Sequence, residues 1–173
     1  MRNILVVVDM QKDFIDGSLG TAEAQAIVGA VVDKMKSYDK VDIYLTRDTH
    51  GENYLETAEG KKLPVVHCVK GTEGWQLYPQ IEAQADSDHI IDKPTFGSLA
   101  LMELLREENK QEPLAIEVVG LCTDICVVSN ALLLKAAMPE VEIQVDRNCC
   151  AGVTPETHRA ALATMEMCQI GIV

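Results

Sequence analysis

The run Val118-Val119-Gly120-Leu121-Cys122-Thr123-Asp124-Ile125-Cys126-Val127-Val128 decides how the chain is to be read. An apolar strand ends at Gly120, a short turn follows, and the pattern predicts a helix from around Asp124 with the Cys126 thiol in its first turn. Unpaired backbone N–H groups at a helix start favour negative charge, so the position is expected to stabilise a thiolate. The same groups suit the oxyanion formed when a thiolate attacks a carbonyl. A solitary cysteine is more often a small buried apolar residue. Two other strand ends shift that balance here. Asp9 closes Ile4-Leu5-Val6-Val7-Val8, and Lys93 closes His89-Ile90-Ile91-Asp92. In a parallel sheet all three would converge on the carboxyl edge, where open α/β folds place their active sites.

Working outward, short apolar runs bounded by polar residues or glycine predict buried parallel strands. They are Ile4 to Val8, Val41 to Thr46, His89 to Ile91, Leu114 to Val119, Val141 to Val145 and Gln169 to Val173. Helical patterns lie between them at Ala24 to Lys36, Ser98 to Glu107, Asp124 to Ala137 and Pro155 to Met167. Thr154 is the expected N-cap of the last, with Pro155 at its first position. The alternation predicts an α/β fold of three layers, α/β/α, around a doubly wound six-stranded parallel sheet. No linker, repeat or low-complexity segment divides residues 1–173, which are expected to form a single domain. Asp48 to Gln80 breaks the alternation, and long irregular segments in compact domains tend to be functional loops. Its Trp75, Tyr54, His50 and His67 mark it as the lid or wall of a site.

The 173 residues suffice for a sizeable core, and 47% apolar content is ordinary for a globular chain. No apolar run reaches the roughly eighteen residues of a membrane span. A formal net charge of −12 argues against nucleic acid and anionic membrane surfaces as partners, and its scattered acidic residues read as a solubility feature. Met1-Arg2-Asn3 leads straight into a strand without a cleavage-site pattern. Six irregularly spaced cysteines without a Cys-x-x-Cys pair do not form a disulfide scaffold. The expected compartment is therefore a reducing cytoplasm. Cys68, Cys149, Cys150 and Cys168 are read as packing residues, and His89 and His158 as structural or surface residues.

A carboxylate following five apolar residues, as Asp9 does, is poorly solvated, so burial is expected to favour its neutral form. Beside a thiol it would accept the thiol proton and later hand it to a leaving amine. Lys93 precedes Pro94, which biases it to extended backbone. Its ammonium beside Asp9 and Cys126 is expected to lower the thiol pKa and hold the carboxylate in place. Each residue alone has a blander reading, as a capping acid or a surface lysine. The trio is stronger than its parts because each member occupies the same topological position. Asp48 and His50 point to one face of an extended segment and can chelate one ion, with His67 as a third ligand. Glu56, or alternatively Glu59, would be the fourth. Such a set suits Zn²⁺, Fe²⁺ or Mn²⁺ without choosing among these divalent metals.

The chain resembles the isochorismatase-like cysteine hydrolases, and within them the nicotinamidase/pyrazinamidase branch, over almost its whole length. The resemblance rests on Val8-Asp9-Met10-Gln11-Lys12-Asp13-Phe14, Asp48-Thr49-His50, and Pro64-Val65-Val66-His67-Cys68-Val69-Lys70-Gly71-Thr72. It rests also on Asp92-Lys93-Pro94-Thr95-Phe96-Gly97-Ser98 and Gly120-Leu121-Cys122-Thr123-Asp124-Ile125-Cys126. It implies a catalytic Asp9–Lys93–Cys126 triad, a cis peptide before Cys122, and an oxyanion hole from the backbone N–H groups of Cys122 and Cys126. It implies metal ligation by Asp48, His50 and His67, a substrate contact at Phe14, and a homo-oligomer. The chain departs from the pattern at Pro64, where those enzymes often carry an aromatic residue three positions before the last metal histidine. Trp75 is expected to supply substrate contact instead.

The activity so implied is hydrolysis of a small-molecule carboxamide through a thioester on Cys126, with nicotinamide as the leading substrate. Another small amide, ureide or carbamoyl compound is the alternative within the class. Hydrolysis of a vinyl ether such as isochorismate proceeds without the cysteine, so Cys126 argues against it. A flavodoxin-like binding or redox module, with Cys126 merely oxidisable, is the non-enzymatic alternative.

Overall fold

The computed structural model describes residues 1–173. Six strands form one parallel sheet: β1 (Arg2–Val8), β2 (Ile43–Asp48), β3 (Ile90–Lys93), β4 (Leu114–Leu121), β5 (Glu142–Ala151) and β6 (Gly171–Ile172). Their spatial order is β3-β2-β1-β4-β5-β6. The winding therefore reverses between β1 and β4, the neighbours that carry Asp9 and the Cys122–Cys126 turn at their carboxyl ends. That crevice is where a doubly wound sheet binds ligands.

β1 shows why the sheet is central. Ile4, Val6 and Val8 pack into one apolar cluster and Leu5 and Val7 into the other, all fully buried. Helix α2 (Ala22–Met35) covers the second face with Ala24, Ile27, Val28, Val31 and Met35, a stripe at helical spacing. The first face is covered by α5 (Leu99–Gln111), α6 (Val128–Ala137) and α7 (Pro155–Met167). Thr154 caps α7 by accepting from Thr157 N–H, with Pro155 in the first turn, as its sequence predicts.

Three short helices were not readable from periodicity: α1 (Lys12–Ile15), α3 (Ala58–Lys62) and α4 (Pro79–Glu82). α3 lies in the irregular 48–80 segment and α4 begins at its end. Strands β2, β3 and β4 run two residues further than the apolar runs predict. The parallel ladder continues past their apolar parts, pairing Asp48 with Lys93 and Gly120 with Cys150. At Gly120 the backbone adopts φ +116, and a Cβ there would overlap the Val8 carbonyl. Only glycine lets β4 pass this close to β1 while turning toward Cys122. Cys68, Cys149 and Cys150 are buried, whereas Cys168 is exposed at the end of α7, contrary to its reading as a packing residue. No helix is long and apolar enough to cross a membrane.

Candidate active site

Asp9 leaves β1 with φ 48, a left-handed conformation that aspartate tolerates better than bulkier residues. Its backbone N–H donates to Thr46 O, and its Oδ1 accepts from Thr46 Oγ1 at 2.7 Å. Lys93 Nζ lies 2.6 Å from Asp9 Oδ2, and both side chains are inaccessible to solvent. The same ammonium donates to Thr95 O at 3.0 Å and to Cys126 Sγ at 3.4 Å, and lies 3.5 Å from Asp48 Oδ1. Three residues distant in sequence thus meet in one buried cluster at the sheet's switch point. A buried ammonium needs such partners.

The electrostatics differ from the sequence expectation in one respect. Burial pushes the Asp9 carboxyl above the ordinary carboxylate value, against the pull of Lys93. Burial also pushes the Cys126 thiol well above the ordinary thiol value; the Asp9 charge adds to this and Lys93 only opposes it. Both effects favour the neutral thiol over the thiolate expected of a helix start. The local backbone contributes to the correction. Thr123–Val127 forms a wide π-type turn before α6, and Cys126 is its fourth residue. Turns of this kind recur at functional sites. The Leu121–Cys122 peptide is cis.

This turn is held from two sides. Thr123 Oγ1 pairs with His158 Nδ1 at 2.7 Å, and the Asp124 carboxylate accepts Val153 N–H, tying the turn to the start of α7. Buried Asn130, four residues after the thiol, donates from Nδ2 to Cys126 O at 2.8 Å and Phe96 O at 3.1 Å. Its Oδ1 accepts Ser98 N–H at 2.9 Å. All its bonds join the Cys126 turn to the 94–98 loop.

Beside the trio, Asp48, His50, Glu59 and His67 bring one ligand atom each to within 4.8 Å of one another. Asp48 Oδ2 is 3.0 Å from His50 Nε2 and 3.6 Å from His67 Nε2, and Glu59 Oε1 is 3.7 Å from each imidazole. His67 donates its Nδ1–H to Val65 O at 2.8 Å, which fixes the tautomer and leaves Nε2 toward the carboxylates. Burial works against ionised Asp48, but its close contacts with both histidines and the Lys93 charge outweigh it and hold the carboxyl well below its usual range. Two imidazoles and two carboxylates at this spacing fit a Zn²⁺, Fe²⁺ or Mn²⁺ ion.

Two expected contacts are not made. Glu56 is exposed at the end of the 54–56 turn, and Glu59 on α3 takes the fourth position instead. The intervening turn rotates Glu56 outward, while the start of α3 faces Glu59 toward the histidines. Trp75 does not line the site cavity. Its indole stacks under the Arg47 guanidinium at 3.6 Å, and its Nε1 donates to Thr49 Oγ1, so it clamps the outer side of the metal-ligand loop. Phe14 does line the cavity, with its ring 5.5 Å from that of His67. Sequence reasoning passed over Gln11. From its buried position it accepts Asp48 N–H and donates to Asp48 O and Trp75 O. Its only signal is a polar amide two residues past a buried strand end. Tyr54 was read only as part of the loop. It packs on both imidazoles and donates its hydroxyl to Leu63 O.

A cavity of about 640 Å³ opens over Cys126, lined on its polar side by Asp48, Glu59 and His67 and on its apolar side by Phe14, Phe96 and Ile125.

A doubly wound parallel sheet holding acid, amine and thiol beside a ligand-type cluster defines a class of α/β hydrolases. The sequence profile described as Isochorismatase domain matches residues 3–172, and the chain belongs to that family. It is 27% identical to a nicotinamidase/pyrazinamidase of Mycobacterium tuberculosis, covering 98% of this chain and 97% of that protein. Its fold superposes on the pyrazinamidase/nicotinamidase of Streptococcus mutans with a TM-score of 0.83, at 26% identity and 99% coverage of both chains. A pyrazinamidase of Pyrococcus horikoshii in complex with zinc gives a TM-score of 0.80 at 24% identity, over 100% of this chain and 99% of that one.

Proposed function

We propose that the enzyme hydrolyses a small carboxamide through a thioester on Cys126, with nicotinamide the first substrate to test. The observation that carries this reading is Lys93 Nζ at 2.6 Å from Asp9 and 3.4 Å from Cys126, under a cavity floored by the thiol. A neutral thiol beside a carboxylate of raised pKa is an acid–base pair matched for proton transfer. Asp9 takes the proton from Cys126 as sulfur attacks the amide carbon. The oxyanion is held by the backbone N–H groups of Cys122 and Cys126. Asp9 returns the proton to the departing nitrogen, ammonia leaves, and the thioester remains. Asp9 then deprotonates a water that attacks the thioester. The product acid departs, and the proton returns to sulfur. Lys93 keeps the carboxylate aimed at the thiol throughout.

Asp48, His50, Glu59 and His67 are the residues that would hold a divalent metal. Its chemistry there would be to orient a substrate heteroatom and to order waters. A homo-oligomer in a reducing cytoplasm completes the reading; six free cysteines support the compartment, and light scattering tests the assembly.

Ammonia release from nicotinamide by wild-type and Cys126→Ala protein is the direct test. Removing one member of a unit of this kind lowers the rate by about 10³-fold or more. Near-wild-type hydrolysis by Cys126→Ala would reject the mechanism. Activity confined to other amides, ureides or carbamoyl compounds would keep the mechanism and exclude nicotinamide as the substrate.

A further inference from the structure

We infer that the cavity selects a carboxamide that also carries a carboxylate, and that Lys62 is the residue that recognises this anion. The inference rests on the amide-hydrolase reading and narrows its substrate class.

Size is the first observation. The cavity's 640 Å³ lies in the range of sites that take drug-sized ligands, which are larger than the nine heavy atoms of a pyridine carboxamide. The cavity thus has room for a larger molecule. Its outer wall is apolar and accessible, with Leu63, Phe96 and Val153 all at least 39% exposed. Pro64 places no aromatic ring in that wall. These surfaces suit the body of a substrate, not its charged end.

Charge is the second. The only ionisable side chains lining the cavity besides the thiols are Asp48, Glu59, His67 and Lys62. The first three belong to the ligand cluster. Lys62 is exposed and stands three residues after Glu59 on α3, so the two share a helix face. Glu59 nevertheless directs Oε1 at His50 and His67. Ion pairs nearby engage Lys12, Lys70 and Lys93, and none engages Lys62. A protein of net charge −12 repels anions over most of its surface, so a free ammonium at the mouth is a local exception that favours an anionic ligand.

The third observation is that the base of this lysine is fixed. Thr57 Oγ1 accepts Gly60 N–H and donates to Tyr54 O, while Leu63 N–H donates to Glu59 O. Gly60 sits so close to Tyr54 that a Cβ would overlap the Tyr54 carbonyl. Tyr54 OH in turn donates to Leu63 O. Residues 57–63 thus form a pinned platform that carries Lys62 in the cavity wall.

Two substrate pairs test this, each a neutral amide and its carboxylate-bearing counterpart: benzamide with 3-carbamoylbenzoate, and butyramide with glutaramate. Ammonia release gives kcat and KM for wild type, Lys62→Gln and Lys62→Glu. In wild type, at least one pair should show a kcat/KM ratio favouring the anion by about ten-fold or more, the scale of a charge-assisted hydrogen bond. Added salt should reduce it. The ratio should fall toward unity in Lys62→Gln, through KM and not kcat, and drop below unity in Lys62→Glu. An equal ratio in all three proteins overturns the assignment. So does a preference that survives Lys62→Gln but disappears in His50→Ala, which would place the anion at the ligand cluster. Calorimetry on Cys126→Ala separates the two layers of the argument. Lys62-dependent binding of the anionic amides without any hydrolysis by wild type rejects the amidase reading and keeps the anion site. Hydrolysis indifferent to Lys62 does the reverse.

Discussion

Asp9 acts on Cys126 in two opposite ways, and a single substitution separates them. In the proposed mechanism its carboxylate is the base that turnover requires. As a nearby charge, it reinforces burial in holding the proton on sulfur. Asp9→Asn should therefore abolish hydrolysis while making the sulfur easier to ionise, because Lys93 remains and its opposing carboxylate is gone. Wild-type Cys126 should react slowly with iodoacetamide at neutral pH and faster only as pH climbs past the ordinary thiol value of 9.0. The Asp9→Asn curve should lie at lower pH. Peptide mapping distinguishes Cys126 from exposed Cys168, and an Asp9→Asn curve at equal or higher pH would refute the assignment. The acid, amine and thiol are legible in the sequence because two end apolar runs and the third follows one across a short turn, and strand ends in a parallel sheet share one edge. Choosing Glu59 over Glu56 was not possible. Both are glutamates at ligand spacing, and only the turn at 54–56 decides which faces inward. Trp75 was misread for a similar reason: aromatic character marks a loop as built, but not which side of it the ring covers.

At the scale of elements, the strands and long helices follow from apolar runs and helical stripes, whereas α1, α3 and α4 are too short to show a period. The bridge between the Cys126 turn and the 94–98 loop also escaped, since one buried asparagine makes it and a lone asparagine carries no pattern. Its consequence can be measured. Asn130→Ala takes this partner from Ser98 N–H and Cys126 O, which are buried, and from Phe96 O, which is partly so. A buried group stripped of its partner costs about 1–3 kcal/mol, and partial relaxation makes a total of about 2–4 kcal/mol reasonable. Urea denaturation should show that loss as a lower midpoint with an unchanged slope. Loosening should also reach the site, because Thr95 O supports Lys93 and Phe96 walls the cavity. A lower kcat and a raised KM in the folded variant are expected. Unchanged stability would show that the bridge contributes nothing.

Across the whole molecule, the metal-ligand cluster joins parts that the chain otherwise leaves apart. Asp48 belongs to β2, His50 to the strand's exit, Glu59 to α3, and His67 to the stretch of the irregular segment beyond α3. Binding an ion there is therefore coupled to ordering of residues 48–67, and ligand binding to the native state alone raises its stability by mass action. Adding Zn²⁺ or Mn²⁺ to chelator-treated protein should raise the thermal midpoint in a concentration-dependent way. Glu59→Ala should weaken that rise and Glu56→Ala should not, since Glu56 points to solvent. Hydrogen exchange should locate the effect. Chelation should speed exchange in residues 48–67 and leave the β1 and β4 amides protected, because those strands are held by the two apolar clusters and not by the ion. Acid should mimic the chelator. Asp48 is held below the ordinary carboxylate value of 3.8, so its contribution to stability is complete above that pH and is lost as pH falls toward its lower folded value. Equal metal-induced stabilisation of Glu56→Ala and Glu59→Ala would remove Glu59 from the ligand set. Exchange that quickened in β1 as fast as in the loop would mean that the ion holds the sheet itself.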